Sequence, residues 1–215
     1  RYIPDALIEE PYLTLCSTNA AAQQINNAHL SALTTSSHFY PGEVKGDFNP
    51  KIFPTDYTLE LRVDGQVMLI RNDPDKRFVN GSLATIVALE DEKITVRLTS
   101  EEGKTEVFDV PKMTWETNRY TISTEADNTI KSEVIGSFIQ YPVRLAWAVT
   151  IHKSQGKTYD RIAIDLGRGA FEHGQTYVAL SRCRTLQGVF LKKPLTPRDI
   201  MVDERVTEFY DQMRL

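Results

Sequence analysis

The chain predicts a mixed α/β protein in which a parallel sheet with helices, assembled from both ends of the sequence, is interrupted by a small antiparallel β domain. Three observations carry this expectation. Residues 12–33 pass from an apolar run to apolar residues at helical spacing; residues 59–141 change to short β-branched runs of period two; residues from about Pro142 onward return to apolar strands alternating with helical stretches. The expected domains are therefore 1–58 with 142–215, made discontinuous by 59–141.

The elements follow in order. Tyr12–Cys16 reads as a strand, and Ser17, Thr18 and Asn19 supply hydroxyl and amide oxygens that cap a helix start. The helix predicted over Ala20–Leu33 carries Ala21, Ile25, Ala28 and Ala32 on one face. Pro41, Gly42, Gly46, Pro50 and Pro54 then break regular structure and predict a long connection over 34–58. Leu59, Leu61 and Val63 alternate with polar residues, and strands are expected at Gln66–Ile70, Ser82–Leu89, Ile94–Leu98 and Thr105–Val110, separated by the turn signals NDP, VNG, EDEK and EEGK. Asn80–Gly81 is a turn that requires positive φ. Leu145–Ile151 is apolar and reads equally as strand or helical turn. Arg161–Leu166 and Val189–Leu191 read as strands, Gln175–Arg184 as a short helix, and Val202–Leu215 as a terminal helix whose stripe of Val206, Phe209, Tyr210 and Met213 belongs to a core or an interface.

Composition narrows the function classes. At 41% hydrophobic residues the chain can bury a sizeable core. No apolar run is long enough for a membrane span and no secretory leader is visible, while Cys16 and Cys183 lie far apart without metal-ligand spacing, so a reduced, cytoplasmic protein is expected. The net charge of −4 conceals a strong division: residues 1–143 hold 13 basic and 21 acidic side chains, residues 144–198 hold 10 and 3, and residues 199–215 hold 2 and 5. A basic segment of this kind suits a phosphate-bearing partner, because Lys and Arg displace counterions from a nucleic-acid backbone; a solvated charged face is the plainer alternative.

That basic segment contains the most informative stretch, residues 148–184, AVTIHKSQGKTYDRIAIDLGRGAFEHGQTYVALSRCR. Two phosphate-compatible segments, His152–Thr158 and Gln175–Arg184, flank the apolar strand and would collect polar and cationic groups at one sheet edge. A phosphate-cradling Walker A loop needs a glycine five positions before the glycine of its GK[ST] triplet. The two GKT triplets, Gly103–Thr105 and Gly156–Thr158, have Leu98 and Ile151 there, and Asp165 is followed by Leu166 where a Walker B acid would stand. A phosphate-gripping Walker site is therefore not expected on this chain.

TIHKSQG at Thr150–Gly156, YVALSR at Tyr177–Arg182 and LCSTNAAAQQIN at Leu15–Asn26 resemble motifs V, VI and IV of the superfamily 1 DNA helicases, in particular the 5′-to-3′ PIF-one/RecD-like branch. The three match in the family's order and span both ends of the chain, and GQVMLIRND with FVNGSLATIV resembles the opening strands of the barrel these helicases insert between motifs IV and V. The resemblance implies a RecA-like second motor domain interrupted by a small β-barrel of the Src-homology type. It implies an ATP-dependent helicase that translocates on single-stranded DNA and unwinds duplex, with ATP and Mg²⁺ held mainly by an N-terminal motor domain outside this chain and none expected on the chain alone. Its opening at Arg1 fits a second motor domain taken from a longer protein.

By the same resemblance Arg182 is the catalytic arginine finger, while Gln155, Gly156, Lys157 and Gln175 join it around the nucleotide, Gln175 orienting Arg182. Thr18, Asn19, Thr150, His152, Lys153 and Ser154 match positions near the single strand, although helix capping explains Thr18 and Asn19 equally well. Lys157 departs from the small or apolar residue the family often carries there. Tyr177 and Leu180 are expected to pack the finger helix on the sheet, Trp147 to pack in the core, and Arg71, Lys76 or Arg77 to offer further DNA contacts. Implied partners are single-stranded DNA, duplex junctions and the other motor domain in cis, with no membrane. The competing reading is a non-catalytic nucleic-acid-binding or interaction module that keeps a motor-like fold.

Overall fold

The computed structural model describes residues 12–99, 103–122 and 130–213. Strand β1 (Leu13–Cys16) is fully buried, as an apolar run in a parallel sheet requires, and helix α1 (Asn19–Ala32) follows at once. Thr18 caps the helix, its Oγ1 accepting from the Ala21 N–H at 3.2 Å. The face that α1 buries is only partly the expected one: Ala21 and Ile25 pack half-buried on the core, and Ala22 and Leu30 are buried with Asn26 half-buried, whereas Ala28 and Ala32 are exposed. Alanines are indifferent to burial, so the longer side chains set the rotation. His29 stacks on Trp147 with ring centroids 5.3 Å apart, and Trp147 is buried, as expected for a core residue.

The breaker-rich stretch 34–58 is not the bare connection expected. It carries β2 (His38–Pro41), β3 (Glu43–Gly46) and a 3₁₀ turn, Pro50–Ile52, because β2 pairs antiparallel with β4 (Thr58–Leu61) and β3 finds a partner much further along the chain. Strands β5 (Gln66–Leu69), β6 (Leu83–Glu90), β7 (Lys93–Thr99) and β8 (Thr105–Val110) then appear close to where alternation places them. Gly81 takes φ +103°, the positive value expected of the VNG turn. The EEGK turn falls partly outside the described residues. Two long strands that the sequence reading did not anticipate, β9 (Met113–Ile122) and β10 (Ile130–Gln140), pair antiparallel, and β10 also pairs with β3. Strand β11 (Val143–Leu145) returns to β5.

The remainder comprises β12 (Ala148–Thr150), β13 (Ile162–Asp165), α2 (Gln175–Leu180), β14 (Val189–Leu191) and α3 (Glu204–Met213). The ambiguous run Leu145–Ile151 thus holds the end of one short strand and the whole of another. Helix α3 buries none of its residues, and Val206, Phe209, Tyr210 and Met213 are all exposed.

Contacts divide the chain into two compact units, Arg1–Ala32 with Ala146–Leu215, and Leu33–Leu145. The first holds a four-stranded parallel sheet in the order β12-β1-β13-β14. Strand β12 lies at its edge, and there Asn26 takes the place of a further strand: its Nδ2 donates to the Ala148 carbonyl and its Oδ1 accepts from the Ala148 N–H, both at 2.8 Å. The second unit holds a five-stranded antiparallel sheet, β11-β5-β6-β7-β8, with three-stranded and two-stranded sheets beside it. Its core gathers Leu59, Leu61, Ile86 and Ile94, inward residues of alternating runs, with Leu69 from the fully buried β5 and Tyr141. Two of the three cations considered for DNA are committed inside this unit. Arg77 grips Asp73 at 2.7 and 2.9 Å and lies over the Phe108 ring, and Arg71 donates to the Thr114 carbonyl beside Trp115.

Candidate nucleotide and nucleic-acid site

Parallel strands deliver their following loops to one edge of the sheet, and in open α/β sheets the ligand crevice lies outside the carboxyl ends of the strands. Here Cys16 pairs with Thr150 on one side and Asp165 on the other, so the turns after β1, β12 and β13 share that edge. Ser17 ties two of them together, its Oγ donating to the Leu166 carbonyl at 3.2 Å. Thr18 and Asn19 are exposed at the start of α1. Cys16 is buried beside them, and burial together with nearby Asp165 pushes its thiol pKa up to about 12, which leaves it an inert packing residue.

The segment after β12 is a tight, self-bonded turn. The Ile151 N–H donates to the Cys16 carbonyl at 2.9 Å, and His152–Ser154 form one 3₁₀ turn. Ser154 is fully buried, and its Oγ donates to the Ile151 carbonyl at 2.6 Å. Thr150 is also buried. The Ser154 side chain thus shapes the turn, while His152, Lys153, Gln155 and Gly156 are exposed and Lys157 half-buried. Gly156 adopts φ +74° with open space where a Cβ would sit, so the backbone conformation alone calls for glycine.

Arg182 is held against this turn. Helix α2 stops at Leu180, short of the expected Arg184, because Ser181 caps it and Tyr159 and Cys183 form an isolated parallel bridge. The Tyr159 N–H donates to the Arg182 carbonyl and the Arg184 N–H to the Tyr159 carbonyl, both at 2.9 Å. The Arg182 side chain reaches three neutral acceptors: Nε donates to the Val178 carbonyl at 3.1 Å, Nη1 to the Lys157 carbonyl at 3.2 Å and Nη2 to Ser181 Oγ at 2.9 Å. A guanidinium has five N–H donors in a fixed fork, so one hydrogen on each terminal nitrogen is left over. Among the described residues no carboxylate pairs with Arg182, which is half-exposed. A cation oriented by carbonyls and still unneutralised is suited to an incoming phosphate.

The opening turn of α2 is equally well fixed. Gln175 is buried; its Oε1 accepts from the Phe171 N–H at 3.1 Å, and its Nε2 has no hydrogen-bond partner among the described residues. Asp199 accepts from Ala170, from the Thr196 N–H and from the Thr196 hydroxyl, which holds its carboxyl below the usual carboxylate range. Thr176 donates to the Asp199 carbonyl, so the loop before α2 is anchored at both ends. Tyr177 does not pack the helix on the sheet as expected. It is 76% exposed, because Gln175, Thr176 and Ala179 form the buried face. His152 meets Glu172 just ahead of the helix, with Nε2 2.7 Å from Oε2.

No protein-family model matches the chain. The chain is 40% identical over 162 residues, 75% of its length, to the ATP-dependent DNA helicase Pif1 of Bdellovibrio bacteriovorus, of which the match covers 33%. The solved structure of unliganded Pif1 from Bacteroides sp. superposes on 95% of the chain with a TM-score of 0.83 and 38% identity, covering 46% of that protein. The chain belongs to the Pif1-type superfamily 1 DNA helicases. Bacteroides Pif1 solved in complex with ADP-AlF3 and ssDNA also matches, over 96% of the chain, with a TM-score of 0.75 and 38% identity. The RecA-like α/β character of the parallel sheet is thereby established. The chain spans about a third of the curated Pif1 relative and just under half of the solved Pif1 chains. Among the described residues no helix is long and apolar enough to cross a membrane.

In this Pif1-type chain the sheet edge brings together Gln155, Gly156, Lys157 and Arg182 through the Lys157 carbonyl, and links His152 to the turn that opens α2. Sequence reasoning missed Glu172 and Asn26. Neither has a local signal, since one pairs with a residue 20 positions away and the other with a strand 122 positions away. It also passed over Arg168, exposed on the loop after β13, although the basic surplus of 144–198 included it.

Proposed function

We propose that this chain is the second motor domain of an ATP-dependent DNA helicase that moves along single-stranded DNA, 5′-to-3′, and unwinds duplex ahead of it. The observation that carries the reading is Arg182, fixed by three neutral oxygens beside the Gly156–Lys157 turn with two N–H donors to spare. Phosphoryl transfer builds negative charge on the γ-phosphate oxygens, and an arginine delivered from a neighbouring lobe stabilises that charge.

In this reading ATP is held by another motor domain of the full-length protein. Arg182 supplies the finger; Gln155 and the Gly156–Lys157 turn close around the γ-phosphate; Gln175 sets the start of the helix that carries the finger. The donors on this side are guanidinium and amide N–H groups, which suit triphosphate oxygens and not a metal ion, so Mg²⁺ enters with the nucleotide on the other lobe. The strand lies along the turn after β12 and the start of α1. Exposed His152, Lys153, Thr18 and Asn19 give it side chains, Ser154 holds the turn in shape, and Thr150 ends the strand that leads into it. Closure around ATP and reopening after hydrolysis shift one domain along the strand.

The second unit, which the sequence delimits at 59–141 and whose contacts run over Leu33–Leu145, is read as the Src-homology-type barrel inserted into the motor domain. Support comes from its antiparallel strands and from the shared apolar core they enclose. A reducing, cytoplasmic setting suits the two free thiols, Cys16 and Cys183.

The test is unwinding by the full-length protein of duplexes with a 5′ or a 3′ single-stranded tail. Strand separation that requires ATP and a 5′ tail is expected. Separation from the 3′ tail only would overturn the direction. Strand binding without any ATP-driven separation would instead favour the binding module.

A further inference from the structure

The turn after β12 and helix α2 are joined at two points. At the far end of α2, Arg182 donates to the Lys157 carbonyl. At the near end, His152 Nε2 lies 2.7 Å from Glu172 Oε2, and the Glu172 carbonyl accepts the Gln175 N–H at 3.3 Å. Residues 152–157 and 172–182 therefore form a closed ring, with the strand-facing turn on one side and the helix leading to the finger on the other. The function proposed above uses Arg182, but nothing in it explains the carboxylate.

Both members of the pair are about half exposed, at 52% and 48% of the side chain, so the contact stands at the surface where a ligand can reach it. A surface pair of this kind is weak and exchanges readily with a competing anion. The acceptor that His152 now holds has the same chemistry as a backbone phosphate: an anionic oxygen that takes an imidazole N–H. Residues 144–198 carry only three acidic side chains, Asp160, Asp165 and Glu172. Asp160 is engaged with Arg184 at 3.2 Å, and Asp165 with the Gly167 N–H at 2.8 Å. Glu172 is the one set against a residue expected at the strand.

We propose that Glu172 is a positioning residue that occupies His152 until DNA arrives. A phosphate of the strand displaces the carboxylate from the imidazole, and loss of that tie leaves the Arg182–Lys157 bond as the remaining link of the ring between the turn and α2, so that strand occupancy is felt at the finger end of the helix. This rests on the helicase reading and assigns Glu172 the task of competing with the strand.

The experiment measures binding of the full-length protein to a labelled oligothymidylate and, in parallel, ATP turnover as a function of strand concentration. Glu172→Ala is expected to tighten strand binding about two- to fivefold, the range a surface pair can supply. The strand concentration for half-maximal turnover should fall by the same factor, with the saturated rate little changed. Glu172→Gln, which keeps an acceptor without the charge, should fall between wild type and alanine. In a His152→Ala background the Glu172→Ala gain should vanish. An unchanged or weakened affinity in Glu172→Ala, with His152→Ala still lowering strand binding, would overturn the competition while leaving the helicase reading intact. A gain that survives in the His152→Ala background would overturn it as well, since Glu172 would then act by charge alone. Failure of the wild-type protein to bind the strand or to turn over ATP would remove the helicase reading, and this inference with it.

Discussion

Arg182→Ala in the full-length protein is expected to lower strand-stimulated ATP turnover by about 10³-fold or more, the scale of a lost arginine finger. Single-strand affinity should stay within about twofold, because the finger acts on charge that develops in the transition state and not on the strand. Arg182→Lys should rescue little. The Val178 and Lys157 carbonyls and Ser181 Oγ are spaced for a planar fork, and lysine offers a point charge on a flexible stem. Steady-state turnover and strand anisotropy on the same preparations separate the two effects. Equal loss of both would mean that Arg182 holds the turn together and is not a finger.

Gly188→Ala is expected to have the largest effect on stability. An added Cβ would fall well inside van der Waals contact with the Asp160 carbonyl oxygen and 2.8 Å from Cys183 Sγ. Neither neighbour can yield cheaply. Cys183 Sγ donates to that same carbonyl at 3.3 Å, and the adjoining Tyr159 N–H holds the Arg182 carbonyl. Overpacking against backbone costs about 3 kcal/mol at the upper end of its usual range, equivalent to a fall of about 6–12 °C in Tm for a chain of this size. Turnover should fall with it, since the displaced backbone carries Arg182. Gly156→Ala provides the contrast. Open space surrounds that position, so only the left-handed φ of +74° is penalised, by about 1–2 kcal/mol. Thermal melts showing equal losses at the two glycines would contradict this account of residues 159–160 and 183–188.

What the sequence revealed about the fold depended on how local the signal was. Strands β5 to β8 were legible because inward and outward residues alternate and each turn is written in Asn, Asp or Gly. Strands β9 and β10 were not, since outward positions dominate them: Lys131, Ser132, Glu133, Asn118 and Arg119 are all exposed, and the second partner of β10 is β3, far upstream in the chain. Helix α1 was found in place but with only half of its expected face turned inward, because three alanines suggest a face without determining one, whereas Leu30, Asn26 and the His29–Trp147 stack do determine it. At the site, motif spacing located Arg182 and the Gly156 turn. It could not show that Ser154 points inward, that Tyr177 points outward, or that Glu172 meets His152, since each depends on where a distant loop lies. The exposed stripe of α3 was equally legible as a pattern and equally silent about what covers it.

Arg182 is proposed to complete an ATP site whose other half belongs to a different lobe. The decisive assay gives the 215-residue chain alone ATP, Mg²⁺ and a saturating single strand. The expected result is no hydrolysis above background. Turnover that scales with the amount of chain and disappears on Arg182→Ala would mean that these residues hold a complete catalytic site, contradicting the division of labour proposed here.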